Sequence, residues 1–374
     1  MKLTLHALPL LILSAMGCTE EDPLSSGGGD AGPPALVCSA GEKRCLGDKM
    51  KVCASDGLSW LVTECAAKGQ RCLLFTGVPQ CTPKECVPGV PECAGDGLTT
   101  RICAQDGMGW VTGKKCSLAQ GELCYDGACE NACQHEAKNQ QSVGCAFYPV
   151  NLQNENADIV GVVVSNPALA ATTVKLYSGA ALMQTQQVGA GKLATFLIPA
   201  GKGMIKGTGK SKAAFKLTST LPVAAYQFSP LNKAEQRSND ASLLLPATSL
   251  GKRHRLISAQ VTRTGSASIL AVVGVVAGTK VTITPSTDTA AGGGVAAGKA
   301  GVAFSVTLGA QDLLQLAATT LNADLTGTLI SSDKPVAVFG GHTCANLPKG
   351  KTYCDHIQEQ MFPVETWGRE YLAV

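Results

Sequence analysis

Beyond Cys145 charged residues thin out, and Val, Thr, Ala and Gly alternate in short runs. The pattern predicts strands over 159–164, 173–177, 193–198, 213–218 and 223–228, and again over 269–276, 280–284, 303–308, 313–316 and 336–339. Each run is bounded by Gly, Pro, Asn or Ser, and short apolar runs at this spacing are the mark of an antiparallel sandwich or barrel. No long helical period is present.

The strand-rich region is duplicated. Ser219-Thr220-Leu221-Pro222-Val223-Ala224-Ala225-Tyr226 recurs as Ser332-Asp333-Lys334-Pro335-Val336-Ala337-Val338-Phe339, and Leu244-Leu245-Pro246 with Gly251 recurs as Met361-Phe362-Pro363 with Gly368. This divides the chain into β repeats at 150–257 and 258–374. A proline heading each repeated strand is expected at an edge or first position, where no ladder donor is needed. The predicted fold is mostly β: two small disulfide-rich modules, then two tandem antiparallel β-sandwich-like repeats. A propeller-like sheet shared by both repeats is the alternative.

Composition sharpens the first third. Of the 17 cysteines in 374 residues, only Cys344 and Cys354 lie beyond Cys145. Residues 38–82 and 83–130 each place six cysteines in matching order, and each carries Asp-Gly followed by Trp: Asp56-Gly57 with Trp60, Asp106-Gly107 with Trp110. Asp-Gly predicts a tight hairpin turn, glycine accepting positive φ. Modules of this size bury too little apolar surface to fold unaided, so three disulfides within each are expected, with the Trp covering them. Zinc is the competing reading, but C-x-x-C spacing is absent and only His135 is near. The modules resemble small EGF-like or knottin-like repeats, as spacers or as ligand-binding units. Cys133 and Cys145 are expected to close a loop in the junction, 131–149.

The N-terminus reads as an address. Met1-Lys2, the apolar stretch Ala7 to Leu13 and small residues before Cys18 form an export signal over 1–17, too short to span a bilayer. Cys18 resembles the lipobox cysteine of bacterial lipoproteins. That resemblance implies lipidation of Cys18, a membrane anchor and display at the bacterial outer membrane or cell surface. Removing Cys18 leaves an even number of cysteines for pairing. Residues 18–37, acidic and then Ser/Gly/Pro-rich, are the flexible tether.

A net charge of +3 argues against nucleic acid as a partner. Gly293 to Lys299 lacks the hydroxyl of a phosphate-binding loop, and Gly209-Lys210-Ser211 lacks its first glycine; both read as polar hairpin loops. Lys252-Arg253-His254-Arg255 is a basic cluster able to meet an acidic glycan or phosphate, or to block aggregation at a strand edge. His342, Cys344, Cys354, Asp355, His356 and Glu359 cluster in sequence. A local Cys344–Cys354 disulfide is the primary reading, with a metal-dependent hydrolase using the His342/His356 region as the alternative. Asp355 and Glu359 as an acid–base pair lack any accompanying nucleophile. No catalytic residue, cofactor site or metal site is assigned.

The strings Ala241-Ser242-Leu243-Leu244-Leu245-Pro246, Asp324-Leu325-Thr326-Gly327-Thr328, Ser332 to His342, and Cys354-Asp355-His356-Ile357-Gln358-Glu359-Gln360 with Trp367-Gly368 resemble the N-terminal domain of the IgGFc-binding protein family, over about 150–374. The resemblance implies an extracellular, non-catalytic adhesion module that recognises a protein or glycan, with Cys354, Asp355, His356, Glu359, Gln360, Trp367 and Gly368 as its motif. It does not imply antibody binding. The family domain runs longer, so the second repeat is expected to be truncated at 372–374. A purely structural surface spacer is the remaining alternative.

Overall fold

The computed structural model describes residues 37–370 apart from 47–48, 66–69, 76–77, 84–85, 106–108, 140, 155–158, 232–237 and 349. Cys18, the export signal and the tether up to residue 36 lie outside the described residues. The chain divides into two compact units, 1–84 and 85–374.

The first unit is built on β1 (Lys43–Leu46), β2 (Lys49–Cys53) and β3 (Trp60–Glu64), with β4 (Gln70–Phe75) and β5 (Val78–Pro83) as a separate hairpin. Disulfides join Cys38 to Cys53, Cys45 to Cys72 and Cys65 to Cys81. The second unit opens with the same plan: β6 (Pro91–Cys93), β7 (Thr99–Cys103) and β8 (Trp110–Lys115), then β9 (Glu122–Tyr125) paired with β10 (Ala128–Asn131). Its disulfides, Cys86–Cys103, Cys93–Cys124 and Cys116–Cys129, repeat the first connectivity: first to third, second to fifth, fourth to sixth. Gly57 takes φ 71°, but β2 and β3 turn through the six residues Ala54 to Ser59, not a two-residue hairpin. Asp106 and Gly107 lie outside the described residues. Each Trp is half-buried beside a disulfide cysteine on the paired strand, with an arginine over its ring: Arg44 over Trp60 at 5.4 Å, Arg101 over Trp110 at 4.3 Å. The aromatic face thus receives a cation as well as covering the staple.

Helix α1 (Ala132–Asn139) follows, and Cys133 is bonded to Cys145 on β11 (Gly144–Phe147). Then come β12 (Val160–Ser165), β13 (Thr172–Ser178), β14 (Ala181–Val188), β15 (Leu193–Ile198), β16 (Gly209–Ser211), β17 (Phe215–Ser229) and β18 (Asp240–Leu244). The remaining strands are β19 (Arg253–Arg255), β20 (Ser268–Gly274), β21 (Thr279–Thr284), β22 (Phe304–Leu308), β23 (Leu313–Ala318), β24 (Leu329–Ser332), β25 (Val336–Ala345) and β26 (Asp355–Gln360).

The two sets of strands share one plan. In the first, the N-terminal half of β17 pairs with β13 and β11, while its C-terminal half pairs with β12 and β18. In the second, β24 takes the first role beside β21 and β19, and β25 takes the other beside β20 and β26. Pro222 sits where β17 changes partners, while its counterpart Pro335 separates β24 from β25. The proline is therefore at a crossing point where no ladder donor is missed, inside one continuous strand in the first set.

The sets are not independent. β16, expected as a polar loop, instead joins β23 at the edge of the second set's sheet. In that sheet, ordered β16-β23-β20-β25-β26, the three central strands are buried on both faces. Ala271, Val273, Leu313, Ala337 and Phe339 join the first core, while Leu270, Val272, Leu314, Leu316 and Val338 join the second. A strand packed on both faces needs a continuous apolar run, and Ser268–Gly274 supplies one.

Candidate binding surface

Strands β18 and β26 belong to different sheets yet lie side by side, linked through side chains. The backbone N–H groups of His356, Gln358 and Gln360 donate to Ser238 Oγ at 2.6 Å, Asp240 Oδ2 at 2.8 Å and Ser242 Oγ at 2.8 Å. In return, Gln360 Oε1 accepts from the Leu245 N–H at 2.9 Å. Gln227 Nε2 donates to Gln358 Oε1 at 2.8 Å, and Gln227 Oε1 accepts from the Val150 N–H at 2.8 Å. All three glutamines are buried. Their amides satisfy backbone groups that would otherwise be stranded between the sheets. Of the motif residues expected from the sequence, His356, Glu359 and Gln360 belong to this seam, Glu359 accepting from Ser242 Oγ at 3.3 Å. Ser242 and Gln358 stand within the quoted family strings, while Gln227, Ser238 and Asp240 stand outside them. Polar residues at period two, Ser238-x-Asp240-x-Ser242 against His356-x-Gln358-x-Gln360, are the signal that was there to find.

The His/Cys cluster is dispersed. Cys344 and Cys354 form a disulfide, which removes both thiolates as ligands. His342 and His356 are buried, on β25 and β26. The Cys344 N–H donates to His342 Nδ1 at 3.1 Å, and His356 Nδ1 lies 3.1 Å from the His342 carbonyl oxygen. Burial pushes both imidazoles down to about 4, the neighbouring His356 adding to the effect at His342. Asp355 and Glu359 lie on the opposite, exposed face of β26 from His356. Among the described residues no group of three or more His, Cys, Asp or Glu side chains is arranged to hold a metal ion.

A different surface gathers chemistry. The sheet β19-β24-β21-β22 buries His254, Val281, Ile283 and Ile330 in the second core. Strand alternation turns Arg253, Arg255, Thr282, Thr284, Leu329 and Ser331 outward. With Val364 and Trp367, from the 3-10 turn Val364–Thr366 and its exit, they line an open cleft of about 510 Å3. Arg253 Nε is 3.0 Å from Glu365 Oε1. Partial burial pushes the Glu365 carboxyl up, but Arg253 outweighs it and holds the group below its usual range. Trp367 is 47% exposed. The basic cluster noted in the sequence and the motif tryptophan thus meet in one place, on an edge strand. Lys299, from the glycine-rich stretch, is instead paired with Asp288 at 2.8 Å.

Close approaches fix the turns framing this surface. A Cβ on Gly251 would collide with Pro363, as one on Gly144 would with Pro246. The repeated proline therefore packs on a glycine in both sets.

Residues 240–374 match the family model described as IgGFc binding protein. A stretch of 140 residues, 37% of this chain, is 30% identical to the human (Homo sapiens) IgGFc-binding protein and spans 2% of that protein's length. The matched segment starts at β18, so the earlier strands of the expected resemblance lie outside it. No solved structure matches. The many disulfides mark an extracellular protein, and among the described residues no helix is long and apolar enough to cross a membrane. Residues 240–374, which include strands β18 and β26 and the cleft, are thus similar to the IgGFc-binding protein family.

Proposed function

We propose that this chain is a surface lipoprotein: lipidated at Cys18 and tethered to a bacterial outer membrane, it presents its β repeats to bind an extracellular protein or glycan without catalysis. The observation that carries the reading is the open cleft of guanidinium, hydroxyl and aromatic groups within the family-matched segment. Such a mixture recognises polar partners and provides no nucleophile paired with a base. The stapled modules act as a stalk, and the repeats 150–257 and 258–374 as the display unit.

Two measurements test it. Mass spectrometry of the membrane fraction should find Cys18 as an acylated mature N-terminus; unmodified protein in the medium would sink the anchor. Panning of the full chain against mucins, glycans and envelope proteins should find a saturable partner. None would leave a structural spacer.

A further inference from the structure

The matching strand plans allow residue-by-residue comparison of the two sets. Val223 corresponds to Val336, each directly after the repeated proline, so Leu217 corresponds to Ile330. Leu217 pairs with Phe147 on β11, and Ile330 with His254 on β19. Ala146 and Tyr148 then stand where Arg253 and Arg255 stand, and Leu250 stands where Trp367 does.

In the first set this face is more buried, with Tyr148 only 7% exposed. Helix α1 packs against β11 and β17, held by the Cys133–Cys145 disulfide. The chain leaving the helix reaches the 3-10 turn Ala247–Ser249, where the Ser249 hydroxyl donates to the Gln141 carbonyl at 2.8 Å. Leu250, beside that turn, is 8% exposed. In the second set the corresponding place is the open cleft, and Trp367 is exposed.

We propose that this cleft docks an acidic polypeptide segment of an extracellular partner, laid across β19 and β24. The inference rests on the binding-module reading above. Charge gives the sign of the occupant: Ala146 and Tyr148 are replaced by Arg253 and Arg255, with exposed Lys252 alongside. The Arg255 guanidinium makes no hydrogen bond or ion pair with any described residue. Guanidinium forks suit carboxylates, while Thr282, Thr284 and Ser331 offer hydroxyls to backbone groups. Trp367, Leu329 and Val364 supply apolar anchoring area of the kind that dominates peptide affinity. An acidic sugar shares the carboxylate chemistry, but the apolar area of Trp367, Leu329 and Val364 beside the guanidinium groups suits the mixed apolar and acidic side chains of a polypeptide.

The test is selection of a displayed random-peptide library on the full chain. Selected peptides are then measured against wild type, R253E/R255E, R255E alone and W367A. Selected sequences should interleave Asp and Glu with apolar residues and weaken about tenfold or more against R253E/R255E. The difference should shrink at high salt. R255E, at an exposed and unpaired side chain, should keep the wild-type unfolding midpoint and still weaken binding. Undiminished binding to these variants overturns the inference and leaves the binding-module reading with another site. Capture of uronic- or sulfate-bearing glycans lost in the same variants, with no acidic peptide bound, overturns it in favour of a glycan. Absence of any saturable ligand sinks both.

Discussion

The backbone N–H of Gln358 donates to Asp240 Oδ2 at 2.8 Å, joining two strands 118 residues apart in the chain. The same separation recurs for His356 with Ser238 and for Gln360 with Ser242. One edge strand thus offers side-chain oxygens where a neighbouring strand would offer carbonyls. Two sheet edges that would otherwise stand open are closed against each other, which is one way a β protein avoids pairing with strangers.

Removing an acceptor from this seam should be costly out of proportion to its size. Asp240→Ala leaves the Gln358 N–H unsatisfied beside a buried glutamine, and Ser242→Ala does the same to Gln360. Each should lower stability by about 1–3 kcal/mol in denaturant unfolding, while Asp240→Asn, which keeps an oxygen, should lose less. A midpoint unchanged in both alanine variants would remove the seam from the account.

Much of the β framework is legible in the sequence because its strands carry alternating or continuous apolar residues, as at Leu193–Ile198 and Ser268–Gly274. Two of the strands that escape prediction are polar. Ala181–Val188 is mostly exposed at a sheet edge, and Asp355–Gln360 buries glutamine where a core would be expected to hold Val or Leu. Two predicted strands, 213–218 and 223–228, merge into Phe215–Ser229 because Pro222 falls at a change of partners and not at a strand end. The site is legible in part: Trp367 and the basic cluster are visible in sequence, but Thr282, Thr284 and Ser331 reach the same cleft only through sheet register.

Acid should weaken the fold through three histidines. His254, His342 and His356 are buried, and burial pushes each down to about 4; Glu365 opposes this at His254, while Asp324 opposes and Arg263 reinforces it at His342. An unfolded imidazole titrates near 6.5. Between those values the unfolded chain binds more protons, so the stability is fully present above about pH 6.5 and drains as pH falls toward 4. Each contributes up to about 3 kcal/mol over that window. His254 occupies the position that Phe147 fills in the first set, and neither of its ring nitrogens has a partner among the described residues. His254→Phe should therefore flatten the unfolding profile between pH 7 and 4.5 and exceed wild type at pH 5. Parallel profiles for the two proteins would refute this.

Gly251 and Gly95 make a matched pair of tests. Gly251→Ala drives a Cβ into Pro363, whereas a Cβ on Gly95 meets nothing within 4 Å. Gly251→Ala should cost about 1–3 kcal/mol as an overpacked contact between ring and backbone, and Gly95→Ala should be near neutral. Equal effects would mean that the proline turn yields freely.

The Cys133–Cys145 disulfide should matter most locally. A loop with a separation of 12 residues loses about 3 kcal/mol of chain-entropy stabilisation when its staple is cut. The first core of Phe147, Val162, Leu176, Phe196 and Leu217 does not depend on that bond, so the β framework should persist. Helix α1 has only eight residues, too few to be stable alone, and depends on packing to stay on β11 and β17. In the Cys133→Ser/Cys145→Ser variant, amide exchange should therefore accelerate across α1 by about a hundredfold, while β20 and β25 keep their protection. Unchanged protection in α1 would show that its packing holds it without the staple. Accelerated exchange throughout the β strands would instead make that bond a global staple, and the more buried face would no longer separate from the core beneath it.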